Sequence, residues 1–194
     1  MSLTLQKLKE LLVSPHEIIA RKAKTKDKNE TIVMLTINWI LIAIGVALFS
    51  QNYSLAPAIL VLGIVGTLIA AFYIYLAFTV MGGKGDYTSV LISLTYPFFG
   101  VAFSTLVISL IYIWLETASF FIGAILFTLY FTVGLTGMFR VLKENFKMEL
   151  VTVWIVISLL LLAIFISFYK LAIIYALKTV SISEVITYLI SQTV

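Results

Sequence analysis

A chain of 194 residues with 62% hydrophobic and only 11% charged side chains falls far short of the roughly 25% charge that wets a soluble domain. Its mean hydropathy of +1.13 makes lipid the solvent for most side chains and argues against a soluble enzyme or a nucleic-acid partner. Cysteine is absent, which excludes disulfides, thiolate chemistry and Cys-based metal sites; the net charge of +4 matters by its placement.

Residues 3–13 set Leu5, Leu8 and Leu12 on one stripe among Gln6, Lys7, Lys9 and Glu10. This predicts a helix too short to span, lying either in the headgroup layer or on the protein's own cytoplasmic face. Ser14-Pro15-His16-Glu17 reads as a helix start, with Ser14 and Glu17 able to cap reciprocally and Pro15 at the first helical position. His16, the sole histidine, then lies in a first turn beside solvent, a surface residue rather than a ligand or base. The run Arg21-Lys22-Ala23-Lys24-Thr25-Lys26-Asp27-Lys28 fixes orientation and gains about 1 kcal/mol per charge beside anionic lipid. Residues 1–30 are thus a polar, basic segment, unlike a cleaved signal.

The first span is expected over residues 31–50, a length that matches a hydrocarbon core of roughly 30 Å. Asn38 is its one strongly polar residue. After the uncharged turn Gln51–Ser54, Pro57 opens a second span over residues 57–80, where Gly63, Thr67 and Ala71 recur every four residues as a small face for a neighbouring helix. Met81–Pro97 is the pivot of the chain. Gly82, Gly83 and Gly85 permit a tight turn, and Asp86 suits the N-cap of a third span over residues 88–113. Gly-Gly-Lys-Gly lacks the spacing of a phosphate-binding loop, although Lys84 beside a helix N-terminus can hold a lipid phosphate. Pro97 predicts a kink that frees a backbone carbonyl. Tyr112 and Trp114 mark the outer interface. A fourth span over residues 117–139, a charged loop from Arg140 to Glu149, and a fifth span over residues 150–170 follow, with Lys170 and Lys178 able to snorkel beyond it. Ser181 to Glu184 starts a surface-lying helix within residues 179–194.

Seven Lys and Arg residues precede the first span, one lies in the Met81 turn and three in the Arg140 loop; two lie at or beyond the end of the fifth span and none lies in the turns at Gln51 and Glu116. The positive-inside rule then predicts an all-α polytopic membrane protein whose N-terminus is cytoplasmic and whose C-terminus is outside. Residues 31–178 form its five-helix domain, and short amphipathic helices flank both ends.

Apart from Lys170 at the very end of the fifth, no Asp, Glu, His, Lys or Arg falls within the five expected spans, so no catalytic residues, metal ligands or cofactor are expected. Asn38, Tyr75, Tyr96, Pro97 and Thr132 can line a cytoplasm-side polar cavity of a small transporter, channel or lipid-handling protein. Alternatively they join helices by hydrogen bonds averaging about 0.6 kcal/mol each. The leading reading is a non-catalytic scaffold, adaptor or membrane-organising protein. Its basic face, with Arg21, Lys22, Lys24, Lys84 and Arg140, would contact anionic lipid or a cytoplasmic protein, and its small-residue faces allow a second copy as partner.

Ser14-Pro15, Gly82-Gly83-Lys84-Gly85 and Tyr96-Pro97, set in a five-span layout, resemble the Yip family of Ypt/Rab-GTPase-interacting polytopic membrane proteins. The resemblance implies a five-helix membrane domain with a cytoplasmic N-terminus and, in eukaryotes, trafficking at the Golgi and endoplasmic reticulum with binding of a prenylated small GTPase. The long N-terminal region and the Asp-Leu-Tyr-Gly-Pro motif of eukaryotic members are absent from the sequence, which weighs against GTPase binding. It points instead to a prokaryotic relative in a plasma membrane.

Overall fold

The computed structural model describes residues 9–12, 15–159, 162 and 166. It divides into two compact units, Met1–Trp154 and Ile155–Val194. Besides helical residues 9–12, the helices are α1 (Pro15–Thr25), α2 (Lys28–Ser50), α3 (Leu55–Val80), α4 (Tyr87–Thr95), α5 (Phe99–Trp114), α6 (Glu116–Phe146) and α7 (Leu150–Leu159). No strand occurs among the described residues. Four stretches are long and apolar enough to cross a bilayer: Lys28–Ser50, Leu55–Val80, Tyr87–Trp114 and Thr117–Phe146. The expected fifth span is described mainly through Leu159. Most of the N-terminal amphipathic helix, Lys170, Lys178 and the helix expected within 179–194 lie outside the described residues.

Local chemistry sets the helix boundaries. Asp27 caps α2 by accepting the Glu30 amide at 3.1 Å, so the helix begins three residues before the expected start and draws Glu30 into its first turn. Asp86 caps α4 as its position predicts, accepting the Ser89 amide at 2.7 Å and the Ser89 hydroxyl at 2.6 Å. The loop expected from Arg140 is instead the last two turns of α6. Val141, Leu142 and Phe146 are buried there, and Arg140 pairs with Glu144 at 2.9 Å across one turn. The helix ends only where Lys147 turns left-handed at φ 54°.

Close approach of neighbouring groups explains the small residues. The Trp39 ring lies on Gly63, where a Cβ would meet it at 2.1 Å, and its indole N–H donates to the Thr67 hydroxyl at 2.9 Å. The small face of α3 thus packs on α2 as its spacing predicts. The rest of α3 faces outward: 11% of its most apolar window is buried, against 33% for α2. Gly134 and Gly137 let α6 ride against the break between α4 and α5, with the Pro97 carbonyl 3.0 Å from where a Gly134 Cβ would stand. A buried cluster of Leu11, Ile18, Ile19, Met34, Ile92, Tyr96, Phe99 and Val141 forms at this end. Leu11 and α1 therefore pack on the bundle.

Candidate functional site

The turns and termini at Lys28, Val80, Tyr87 and Phe146 gather at one end, together with the exposed cations Arg21, Lys24, Lys28, Lys84, Arg140, Lys143 and Lys147. We call this the basic end. Its interior is built around Pro97. A proline has no N–H to give the preceding turn, and the chain leaves the helix through Tyr96, Pro97 and Phe98. The Phe99 amide turns to the Tyr96 carbonyl at 3.3 Å, which leaves the Thr95 carbonyl free of its helical partner. Asn38 supplies the substitute, its Nδ2 donating to that carbonyl at 2.8 Å in a buried site. A side chain from α2 thus repairs a break in a neighbouring helix, as burial in lipid requires.

One turn above this layer the polar content is higher than the sequence suggests. Lys22 reaches in from α1 and pairs with Glu30 of α2, with 8% and 5% of the two side chains exposed. The Lys22 ammonium also stands 5.9 Å from the centre of the Tyr96 ring, within cation–π range. The Tyr96 hydroxyl lies beside Thr31 in the field of Glu30, without a hydrogen bond of ordinary geometry; Asn38 Oδ1 and Thr95 Oγ1 are likewise buried and unpartnered. Outside, Lys26 pairs with Asp86 at 2.8 Å and strings the α1–α2 link to the cap of α4. Burial of the Asp86 carboxyl acts to raise its pKa, but the Lys26 ammonium and the Ser89 hydroxyl and amide prevail and hold it below the usual 3.8. The Asp27 carboxyl is likewise lowered, mainly by the Glu30 amide it accepts.

The glycine turn has a structural use of its own. Phe146 packs on Phe78 with ring centroids 5.0 Å apart, and a Cβ at Gly83 or Gly85 would stand 2.8 or 2.6 Å from the Phe146 ring. The Lys84 amide donates to the Phe146 carbonyl at 3.2 Å. Gly-Gly-Lys-Gly therefore clasps the end of α6. Its Lys84 amide is engaged, while the Lys84 side chain stays exposed.

The residues expected to line a cavity separate into two groups. Asn38, Tyr96 and Pro97 are buried together at the break. Tyr75 stacks edge-on against Tyr87 at 6.3 Å, and Thr132 is exposed with its hydroxyl donated to the Thr128 carbonyl at 2.8 Å. Of the five cations expected to meet headgroups, Arg21, Lys24, Lys84 and Arg140 are exposed, whereas Lys22 is turned inward and neutralised. The signal for that was present: Ile18 and Lys22 are one helical turn apart and share a face. Glu30 was missed because it lies beyond a break in the helix.

The Yip1 domain matches residues 9–170. The chain belongs to the Yip1 family. This agrees with the motifs at Gly82–Gly85 and Tyr96-Pro97, which the structure places at the clasp and at the helix break. It is accordingly an integral membrane protein of the Yip1 family, all-helical over its described residues. Comparison with curated proteins and with solved structures finds no match. Among the described residues of this Yip1 domain no three His, Cys, Asp or Glu side chains gather as metal ligands.

Proposed function

We propose that this Yip1 family protein is a non-catalytic membrane organiser whose basic end faces the cytoplasm and holds anionic lipid headgroups. One observation carries the reading. Lys24, Lys28, Lys84, Lys143 and Lys147 are exposed at one end and have no ion-pair partner among the described residues. Arg21 and Arg140 add exposed charge at the same level, lightly tethered to Glu10 at 3.6 Å and Glu144 at 2.9 Å. Each unpaired cation beside an anionic surface gains about 1 kcal/mol, and the attraction fades with salt. The interior of the same end supports a helix seam rather than a transport path, because the Asn38 Nδ2 donates to the Thr95 carbonyl and Lys22 pairs with Glu30.

The purified protein, reconstituted with equal phosphatidylcholine and phosphatidylglycerol and released into the mass spectrometer, should retain phosphatidylglycerol in preference. Converting Lys24, Lys84 and Lys147 together to Glu should reduce that preference several-fold, as should raised salt. Equal retention of both lipids by the parent at low salt would overturn the reading. Recovery of a small GTPase on the same face would replace lipid contact with an adaptor role.

A further inference from the structure

We propose that α1 is a two-position helix. The buried Lys22–Glu30 pair locks it onto the bundle, and when that pair opens its second bed is the anionic membrane surface. The second bed rests on the function proposed above; the lock does not.

Among the described side chains of α1, three turn inward. Ile18 and Ile19 are 4% and 1% exposed, and Ile19 Cδ1 stands 3.0 Å from where a Cβ on Gly137 would be. Lys22 lies on the same side and pairs with Glu30. The buried pair adds a charge lock to this apolar contact. Breaking such a pair by removing one partner leaves the other charge buried and uncompensated, whereas replacing both by apolar groups is often neutral. Docked, α1 stands above the unpartnered oxygens of Asn38, Thr95 and Tyr96, a layer that water would enter if α1 left.

The means of leaving are also in the structure. Only Lys26 and Asp27 join α1 to α2, and Lys26 sits in the left-handed region at φ 49°, a hinge conformation most residues avoid. Its strap to Asp86 is a surface pair with both partners more than a third exposed, a class that contributes little. A freed α1 presents Ile18 and Ile19 on one side, with the Lys22 stem between them able to snorkel its ammonium toward the headgroups, and Arg21 and Lys24 around the other. That is the pattern of a short helix that lies in the headgroup layer of anionic lipid. Release of Lys22 adds one cation to the set facing the membrane, so the lipid rewards opening.

The absence of cysteine permits a direct test. A single Ile19→Cys substitution in the full chain is reconstituted in nanodiscs, and its labelling by a water-soluble maleimide is timed. With the lock intact, labelling should be slow in phosphatidylcholine discs. Adding Glu30→Gln should speed it at least tenfold, and Lys22→Met with Glu30→Met should return it to the slow rate, showing that the bundle tolerates loss of the charges. In discs one-third phosphatidylglycerol the Glu30→Gln protein should label more slowly than in phosphatidylcholine, as the introduced thiol enters the interface, and high salt should reverse this. Equal labelling of the parent and Glu30→Gln in phosphatidylcholine overturns the lock. Fast labelling of both the single and the double replacement also overturns it. Fast labelling of Glu30→Gln that ignores phosphatidylglycerol leaves the lock standing and overturns the second bed.

Discussion

The two ends of the bundle solve opposite problems. At the basic end a broken helix, a buried ion pair and a glycine clasp are packed against one another, and Phe78, Phe146, Ile92 and Val90 are at most 1% exposed. At the far end Phe49, Ile108, Tyr112, Thr117, Phe120 and Phe127 border an open groove of about 690 Å3. Its chain links, Gln51–Ser54 and Leu115, carry no Lys or Arg. Lipid chains are as apolar as these side chains, so nothing drives such a groove to close. Polar groups in lipid have no such latitude, since each must find a partner within the protein. Precise packing therefore accumulates where the chain breaks and where charge enters. The end that lacks both is left to the bilayer.

The widest predicted contrast between the ends is steric. Gly85 at the clasp and Gly123 in the groove are both covered by a side chain, but differently. A Cβ on Gly85 would lie 2.6 Å from the ring of buried Phe146, whereas one on Gly123 would lie 3.1 Å from Cγ2 of Ile108, which borders open space. Gly85→Val should cost about 1–3 kcal/mol by overpacking. Gly123→Ala should stay within about 0.5 kcal/mol, as the isoleucine can give. Thermal unfolding in one detergent compares them, and equal midpoints would remove the distinction between the ends.

A smaller effect is expected at the helix break. Asn38→Leu removes the donor to the Thr95 carbonyl, and interhelical hydrogen bonds in membranes average about 0.6 kcal/mol with a maximum near 1.7. The value here should fall in the upper half of that range, since the Phe99 amide has turned to Tyr96 and leaves the Thr95 carbonyl no helical partner. Amide exchange should quicken in residues 93–99 and remain unchanged in the far-end segments 49–55 and 112–119. Unaltered exchange at the break would mean that Asn38 does not hold it.

What could be read in advance divides along the same line. Local signals were legible: Asp86 as a cap, Pro97 as a break, and the four-residue spacing of Gly63, Thr67 and Ala71 as a packing face. Signals needing two distant stretches were not. Gly83 and Gly85 announce a turn, but their partner Phe146 is some sixty residues away and sits in a stretch whose charges suggest a loop. Met138, Leu142 and Phe146 recur every four residues, which is the helical pattern those charges obscured. Lys22 is one cation among several, and a basic run does not mark which member turns inward; the pairing with Glu30 exists only once α1 folds back onto α2.

The smallest contrast is electrostatic and depends on pH. Asp27 and Asp86 cap helices at the basic end, and both are held below the usual carboxylate value of 3.8 in the folded protein. A carboxylate whose folded pKa is depressed stabilises the fold fully above its unfolded value and loses that contribution as pH falls through the folded one. Stability should therefore be flat above about pH 5 and decline below 3.8, and amide exchange at the starts of α2 and α4 should respond first. Asp86→Asn retains an acceptor for the Ser89 amide but gives up the charge that meets Lys26. The variant should match the parent in acid and fall slightly behind it near neutrality, slightly because half of the Asp86 side chain is exposed. A parent–variant gap that widened as pH fell would mean that the Asp86 charge opposes the fold, and the Lys26–Asp86 strap would then be a contact without consequence.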